Sequence, residues 1–233
     1  MEESLRLAEG FLRERRPRQI ITANPLMILA AEKDPGLRAA FAAADLVVPD
    51  GVGVVFAALL RGHRLSRVPG IELMDRLCAR AAETSLRVFL LGAAPGVAAS
   101  VAKTLIIRHP GLNIVGVHHG FFSASRRLGV AASLSPSEDG VVSKVREARP
   151  DILFVALAVP FQDAWVHANI DRFGAKVVMG VGGSFDVLSG RLGRAPRWMQ
   201  SLGLEWLFRL AQEPRRIRRM LGLPVFLLRV IFC

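Results

Sequence analysis

Apolar residues fall into two patterns along this chain, and the two alternate. Short β-branched runs occur at 19–22, 45–49, 87–92, 113–117, 152–157 and 176–181. Between them lie alanine- and leucine-rich stretches at 25–33, 54–60, 71–85, 96–108 and 162–173. The first set predicts strands and the second predicts helices. Runs such as Val88-Phe89-Leu90-Leu91 have no polar alternation, as expected of strands covered on both faces. The order predicts an α/β fold: a Rossmann-like, mostly parallel sheet with helices on both sides. Residues 1–18 read as a charged amphipathic helix and not as a secretory signal. Residues 133–140, rich in serine and proline, read as an exposed loop. Past Pro196 the strand pattern stops, and two or three basic amphipathic helices follow, punctuated by Gly203, Pro214, Gly222 and Pro224. This divides the chain into a core, 1–195, and a basic helical appendage, 196–233.

In sheets of this kind ligands bind at the carboxyl ends of the strands. The unusual residues of this chain stand there. Thr22-Ala23-Asn24-Pro25 follows the first strand and Pro49-Asp50-Gly51-Val52-Gly53 the second. Gly92-Ala93-Ala94-Pro95-Gly96 follows the third, Pro160-Phe161-Gln162-Asp163 the fifth, and Gly180-Val181-Gly182-Gly183 the sixth. A carboxylate placed as Asp50 is can take a proton from an attacking hydroxyl, or it can cap the helix that begins near Val54. The glycine loops suit anions through their amides, although each also reads as a tight turn. None has GxGxxG spacing, and there is no Walker motif. No Asp-x-Asp is present to hold a cation against a diphosphate. The five histidines lack zinc-ligand spacing, and the adjacent His118 and His119 are expected on opposite sides of a strand. No metal or cofactor is expected.

Composition sharpens this. With 52% hydrophobic and 22% charged residues the chain has material for a full core. Two cysteines, Cys78 and Cys233, make no disulfide framework and favour a reducing, cytoplasmic compartment. The net charge of +11 is concentrated late, with nine arginines against two acidic residues over 191–233. Such a surface suits phosphates, anionic lipid or nucleic acid. Arg209, Arg215, Arg216, Arg218 and Arg219 can hold phosphate through their guanidinium forks, or simply form a solvated helix face. A spanning helix needs about 20 apolar residues. Residues 39–60 are interrupted by Asp45, Pro49 and Asp50, and 220–233 is short and holds Pro224 and Arg229. That last stretch either lies in a membrane interface or packs on the core.

These residues together resemble the WecG/TagA/CpsF family, glycosyltransferase family 26. The resemblance runs from about Ile20 to Arg219. It rests on Thr22-x-Asn24, Ala44-Asp45, Pro49-Asp50-Gly51-x-Gly53, Arg67-Val68-x-Gly70, Leu91-Gly92 with Pro95-Gly96, and Gly120-Phe121-Phe122. It continues through Gly180-Val181-Gly182-Gly183-x-Phe185-Asp186, Arg194-Ala195-Pro196, Leu204-Glu205-Trp206-Leu207-x-Arg209 and Glu213-Pro214-x-Arg216-x-x-Arg219.

The resemblance implies an inverting, metal-independent transfer of a hexose or N-acetylhexosamine, such as ManNAc or Glc. The donor would be a UDP-sugar, and the acceptor a polyprenyl-diphosphate-linked sugar in cell-surface polysaccharide synthesis. It implies Asp50 as general base with Thr22 beside it. Arg209, Arg216 and Arg219 would close over the site at the inner membrane surface, holding the diphosphate with the glycine loops. Thr22, Asn24 and Gln162 would orient sugars, with further substrate contacts at Gly51, Gly53, Gly92, Pro160, Asp163, Gly182, Asp186 and Arg194. A peripheral position on the cytoplasmic membrane and self-association through apolar surface also follow. The chain departs from the family's Gly-x-Pro-Lys-Gln-Glu with Ala158-Val159-Pro160-Phe161-Gln162-Asp163, and carries Glu72 where aspartate is common. Both changes put the donor sugar in doubt, not the reaction class. Two other classes fit parts of the pattern. A nucleotide-cofactor oxidoreductase needs a glycine fingerprint after the first strand, where Thr-Ala-Asn-Pro stands instead. A nucleic-acid-binding protein would use the basic tail, but the chain has no tyrosine, and Trp206, Phe208, Phe226 and Phe232 read as buried or interfacial anchors.

Overall fold

The computed structural model describes residues 1–121, 136–214 and 217–232. Six strands form one sheet: β1 (Arg18–Ala23), β2 (Leu46–Pro49), β3 (Arg87–Gly92), β4 (Asn113–His118), β5 (Ile152–Ala156) and β6 (Val177–Gly180). Their order is β2-β1-β6-β5-β3-β4, and every pairing is parallel. The α/β, Rossmann-like expectation is met.

Alternation along each strand sends side chains to two different cores. One face carries Ile20, Val48, Val88, Leu90, Ile152, Phe154 and Met179. It is covered by α1 (Glu2–Leu12), α5 (Gly70–Glu83), α6 (Val97–Arg108) and α9 (Ser184–Leu188). In α5 the buried residues Leu73, Met74, Leu77, Cys78 and Ala81 recur at helical spacing, so one stripe meets the sheet. The other face carries Phe89, Leu91, Leu153, Val155 and Val178 against α7 (Pro136–Ala148) and α8 (Phe161–Asn169). Beside it, Ile21 packs with α2 (Pro25–Ala31) and α3 (Pro35–Ala43) through Met27 and Ala40. Each such fully buried side chain stabilises the fold by about 1.5–3 kcal/mol.

Two local expectations are corrected. Residues 136–140 are not an exposed loop but the first turns of α7, and Glu138 there is buried. Pro136 stands at the start, where its missing N–H is harmless, and Glu138 and Asp139 favour a helix N-terminus. Residues 133–135 lie outside the described residues. His118 and His119 do not face opposite ways: β4 ends at His118, and the two rings lie 4.6 Å apart.

Past residue 196 come α10 (Arg197–Ser201), α11 (Glu205–Gln212), α12 (Ile217–Met220) and α13 (Gly222–Phe232). The last of these packs on α2 and on α4 (Val52–Leu60) through the buried Phe226, and Arg229 pairs with Glu32. Although wholly apolar, α4 has no buried residue. Val52, Phe56, Leu59 and Leu60 of α4 are exposed, and so are Trp198, Leu202, Leu207, Leu221, Leu228 and Ile231. Among the described residues no helix is long and apolar enough to cross a membrane.

Candidate active site

The loops after β1 and β2 lie against each other at one end of the sheet. Asn24 caps α2, its side-chain oxygen accepting from the N–H groups of Leu26 at 3.1 Å and Met27 at 3.2 Å. Only its NH2 remains for a ligand. Pro25 comes so close to the β2 loop that a Cβ on Gly51 or Gly53 would stand 2.7 Å from its ring. These glycines therefore let two loops meet. The Gly51 N–H donates to the Ala23 carbonyl at 3.3 Å, and the Gly182 N–H donates to Gln162 Oε1 at 2.9 Å. Both amides donate within the protein in this structure.

Asp50 follows directly on β2 but does not cap α4, whose N-cap is Gly51 with no side-chain hydrogen bond. Its carboxyl lies instead within electrostatic reach of the N–H of Gly70, the first residue of α5. Burial is the largest influence on that carboxyl and raises its pKa above the ordinary value. Arg67, the Gly70 N–H and Arg209 oppose that rise, and Glu205 reinforces it. Thr22 is buried beside this group. Its Oγ1 donates to the Gly180 carbonyl at 3.1 Å, and its methyl leaves no room for a side chain on Gly70. The hydroxyl can still accept a hydrogen bond.

Arg67 ties the group together. Its Nε donates to the Asp50 carbonyl at 2.7 Å, Nη1 to the Gln200 carbonyl at 3.0 Å, and Nη2 to Glu205. Arg194 pairs with Glu72, with its Nε 3.9 Å from Glu205. Arg194, Glu205 and Arg209 line one small cavity with Ile71, Val187, Gly193 and Ala195.

Behind these residues the β5 and β6 loops are locked by a buried amide. Gln162 Oε1 accepts from Leu157 N–H at 3.1 Å as well as from Gly182 N–H. Its Nε2 points at the Asp163 carboxyl, 3.3 and 3.5 Å away. Any side chain on Gly180 would collide with both residues. Burial pushes the Asp163 carboxyl up to about 7, against weaker opposing contributions from Gln162 and its own backbone N–H. Pro160 follows a cis peptide and precedes α8.

Other expected contacts stand further off. Gly92 closes on β5 with φ 132°, where a side chain would strike the Ala156 carbonyl. It lies four strand positions from β2, about 19 Å at normal strand spacing. A ligand touching both Gly92 and Asp50 must therefore run along the strand ends. Asp186 lies in the first turn of α9, with its carbonyl accepting from Leu192 N–H at 3.0 Å. Arg216 and the side chain of Arg219 lie outside the described residues. Among the described residues no group of three His, Cys, Asp or Glu is placed to hold a metal ion.

A glycosyl transferase model, that of the WecG/TagA/CpsF family, matches residues 1–233. The chain belongs to this family. It is a glycosyltransferase. Among similar proteins, one from Bacillus spizizenii is 36% identical over 213 residues, covering 91% of this chain and 78% of that protein. A Bacillus subtilis relative gives the same figures, and one from Staphylococcus aureus is 33% identical over 216 residues, again covering 91% and 78%. All three are named N-acetylglucosaminyldiphosphoundecaprenol N-acetyl-beta-D-mannosaminyltransferase.

The sequence pointed to Asp50 and Thr22 by their place at strand ends. It did not single out Glu205, and Arg67 stood only as part of a motif. The two are 138 residues apart, so no local spacing connects them.

Proposed function

We propose that this member of the WecG/TagA/CpsF family transfers a sugar, of the N-acetylmannosamine type, from a UDP-sugar to a GlcNAc-diphospholipid acceptor with inversion and without metal. The observation that carries this reading is the partly desolvated Asp50 carboxyl beside Arg67 and Arg209, with Thr22 against the same turn. Burial makes Asp50 a stronger base than a free carboxylate. In the transfer, Asp50 accepts the proton of the acceptor hydroxyl. That oxygen bonds to the donor's anomeric carbon, and the bond to the diphosphate breaks on the opposite face, releasing UDP. The guanidinium groups supply the positive charge that the departing diphosphate needs. The identity of the relatives' acceptor supports the lipid-linked substrate.

Residues 196–233 serve in this reading as a membrane-proximal appendage. The exposed apolar residues of α4, α10 and α13 enter the lipid interface, and the late arginines meet anionic headgroups. The test is UDP release from a panel of UDP-sugars, with and without a short-chain polyprenyl-diphosphate GlcNAc, in EDTA. Acceptor-dependent release from one donor is expected. Release that needs added divalent cation would remove metal independence, and no release from any donor would overturn the reaction.

A further inference from the structure

Three guanidinium groups gather around a carboxylate of the chain itself, Glu205. Arg67 donates to one oxygen of Glu205, and Arg194 Nε lies 3.9 Å from the other. Arg209 lines the same cavity and approaches the β6 loop, where a Cβ on Gly183 would lie 3.3 Å from its Nη1. It makes no ion pair among the described residues. Both Arg209 and Glu205 act on the charge of Asp50, so the cluster lies within electrostatic reach of the proposed base.

We infer that Glu205 holds the place the donor's diphosphate takes on binding, with Arg67, Arg194 and Arg209 forming the subsite. The inference rests on the sugar-nucleotide reading above and goes beyond it by naming an internal anion that must leave. Charge supports the exchange. Asp50 aside, the three cations face two carboxylates, Glu205 and Glu72. A diphosphate diester carries two negative charges, so replacing Glu205 with it brings the group to neutrality. A guanidinium fork fits phosphate as well as it fits carboxylate. Glu205 also has somewhere to go. Its side chain is 19% exposed and that of Arg67 23%, so the pair borders solvent. It stands in the first turn of α11, where the helix dipole favours a carboxylate even without a partner. The exchange also loosens the core from the appendage, because Arg67 joins the Asp50 carbonyl to Gln200 and Glu205.

The test is calorimetric titration of the full chain with inorganic pyrophosphate, in wild type and Glu205→Gln. Removing one competing charge-assisted contact should tighten binding about tenfold. Arg194→Ala should weaken it. Equal or weaker binding in a folded Glu205→Gln protein overturns the inference, as does absence of binding in both. Should that variant not fold, Glu205→Asp keeps the charge and withdraws it by one methylene, and a gain of about two- to threefold is expected. No gain there overturns the inference too. The outcomes separate from those of the donor screen. Tighter pyrophosphate binding without turnover of any UDP-sugar would leave the subsite and sink the donor. Turnover with unchanged pyrophosphate affinity would do the reverse.

Discussion

Leu90, Phe154 and Met179 of the sheet are fully buried, whereas Leu228, Ile231 and Phe232 of α13 are 56%, 56% and 78% exposed. All six are large apolar residues; their surroundings differ. Strands of a parallel sheet meet helices above and below, so both faces of each strand find cover. The terminal helix meets α2 and α4 along one line, through Phe226, and α4 buries none of its own residues. Apolar side chains in the sheet therefore stabilise the fold, and the exposed ones of α4 and α10–α13 add little to it. Contiguous apolar surface of that kind is a mark of association. Asp50 and Arg67 stand at the seam between these two regions.

That seam is where the largest effect should appear. Asp50→Asn keeps the shape and removes the base, so turnover should fall by about 10²–10⁴-fold, with the thermal midpoint little changed. Near-normal turnover would take Asp50 out of the reaction. Next comes the core itself. Phe154→Ala should destabilise the protein by about 3–5 kcal/mol, read by urea unfolding. The double variant Leu228→Ser and Ile231→Ser tests the other side of the comparison. Its unfolding free energy should stay within about 0.5 kcal/mol of wild type, while its binding to anionic-lipid vesicles should drop by about tenfold or more. If instead stability falls and vesicle binding holds, the exposed helices belong to the fold and not to the membrane.

The two regions also differed in how far they could be read beforehand. The six strands were legible because each is a compact run of β-branched and large apolar residues closed by glycine, proline or a polar residue. Three core helices were not: α3, α7 and the five-residue α9. In α3 only Leu37 and Ala40 are buried, too thin a stripe to register. In α7 the opening Pro136-Ser137-Glu138-Asp139-Gly140 has loop composition, although proline followed by acids also starts helices. At the site, position at a strand end pointed to Thr22, Asp50 and Gln162. It could not reveal that Gln162 Oε1 is held by Leu157 and Gly182, because those contacts join residues from two separate strands. Nor could it reveal that Arg67 bridges to the C-terminal helices. Long-range polar pairs leave no periodic trace.

A further expected effect lies beneath the seam, at Asp163, and it runs opposite to the usual carboxylate. Its pKa in the folded protein is about 7 because burial disfavours the charged form, against an ordinary value of 3.8. Between those values the folded chain keeps a proton that the unfolded chain releases. Stability must therefore fall as pH rises through this window, by up to roughly 1.4 kcal/mol per unit for one proton, and level off above about 7. Asp163→Asn cannot titrate, so its unfolding free energy should lack this slope, and the difference between the two proteins should narrow or reverse between pH 5 and pH 7. Gln162 gives the site a reason to tolerate the cost. Its Nε2 faces the Asp163 carboxyl, which fixes the amide so that its oxygen meets the Leu157 and Gly182 N–H groups. An asparagine that turned its NH2 toward Gln162 would disturb that arrangement, so turnover should fall with Asp163→Asn even where stability rises. Parallel pH slopes in the two proteins would show that Asp163 is charged in the fold, and that the loops beneath the base are held by an ion and not by a neutral acid.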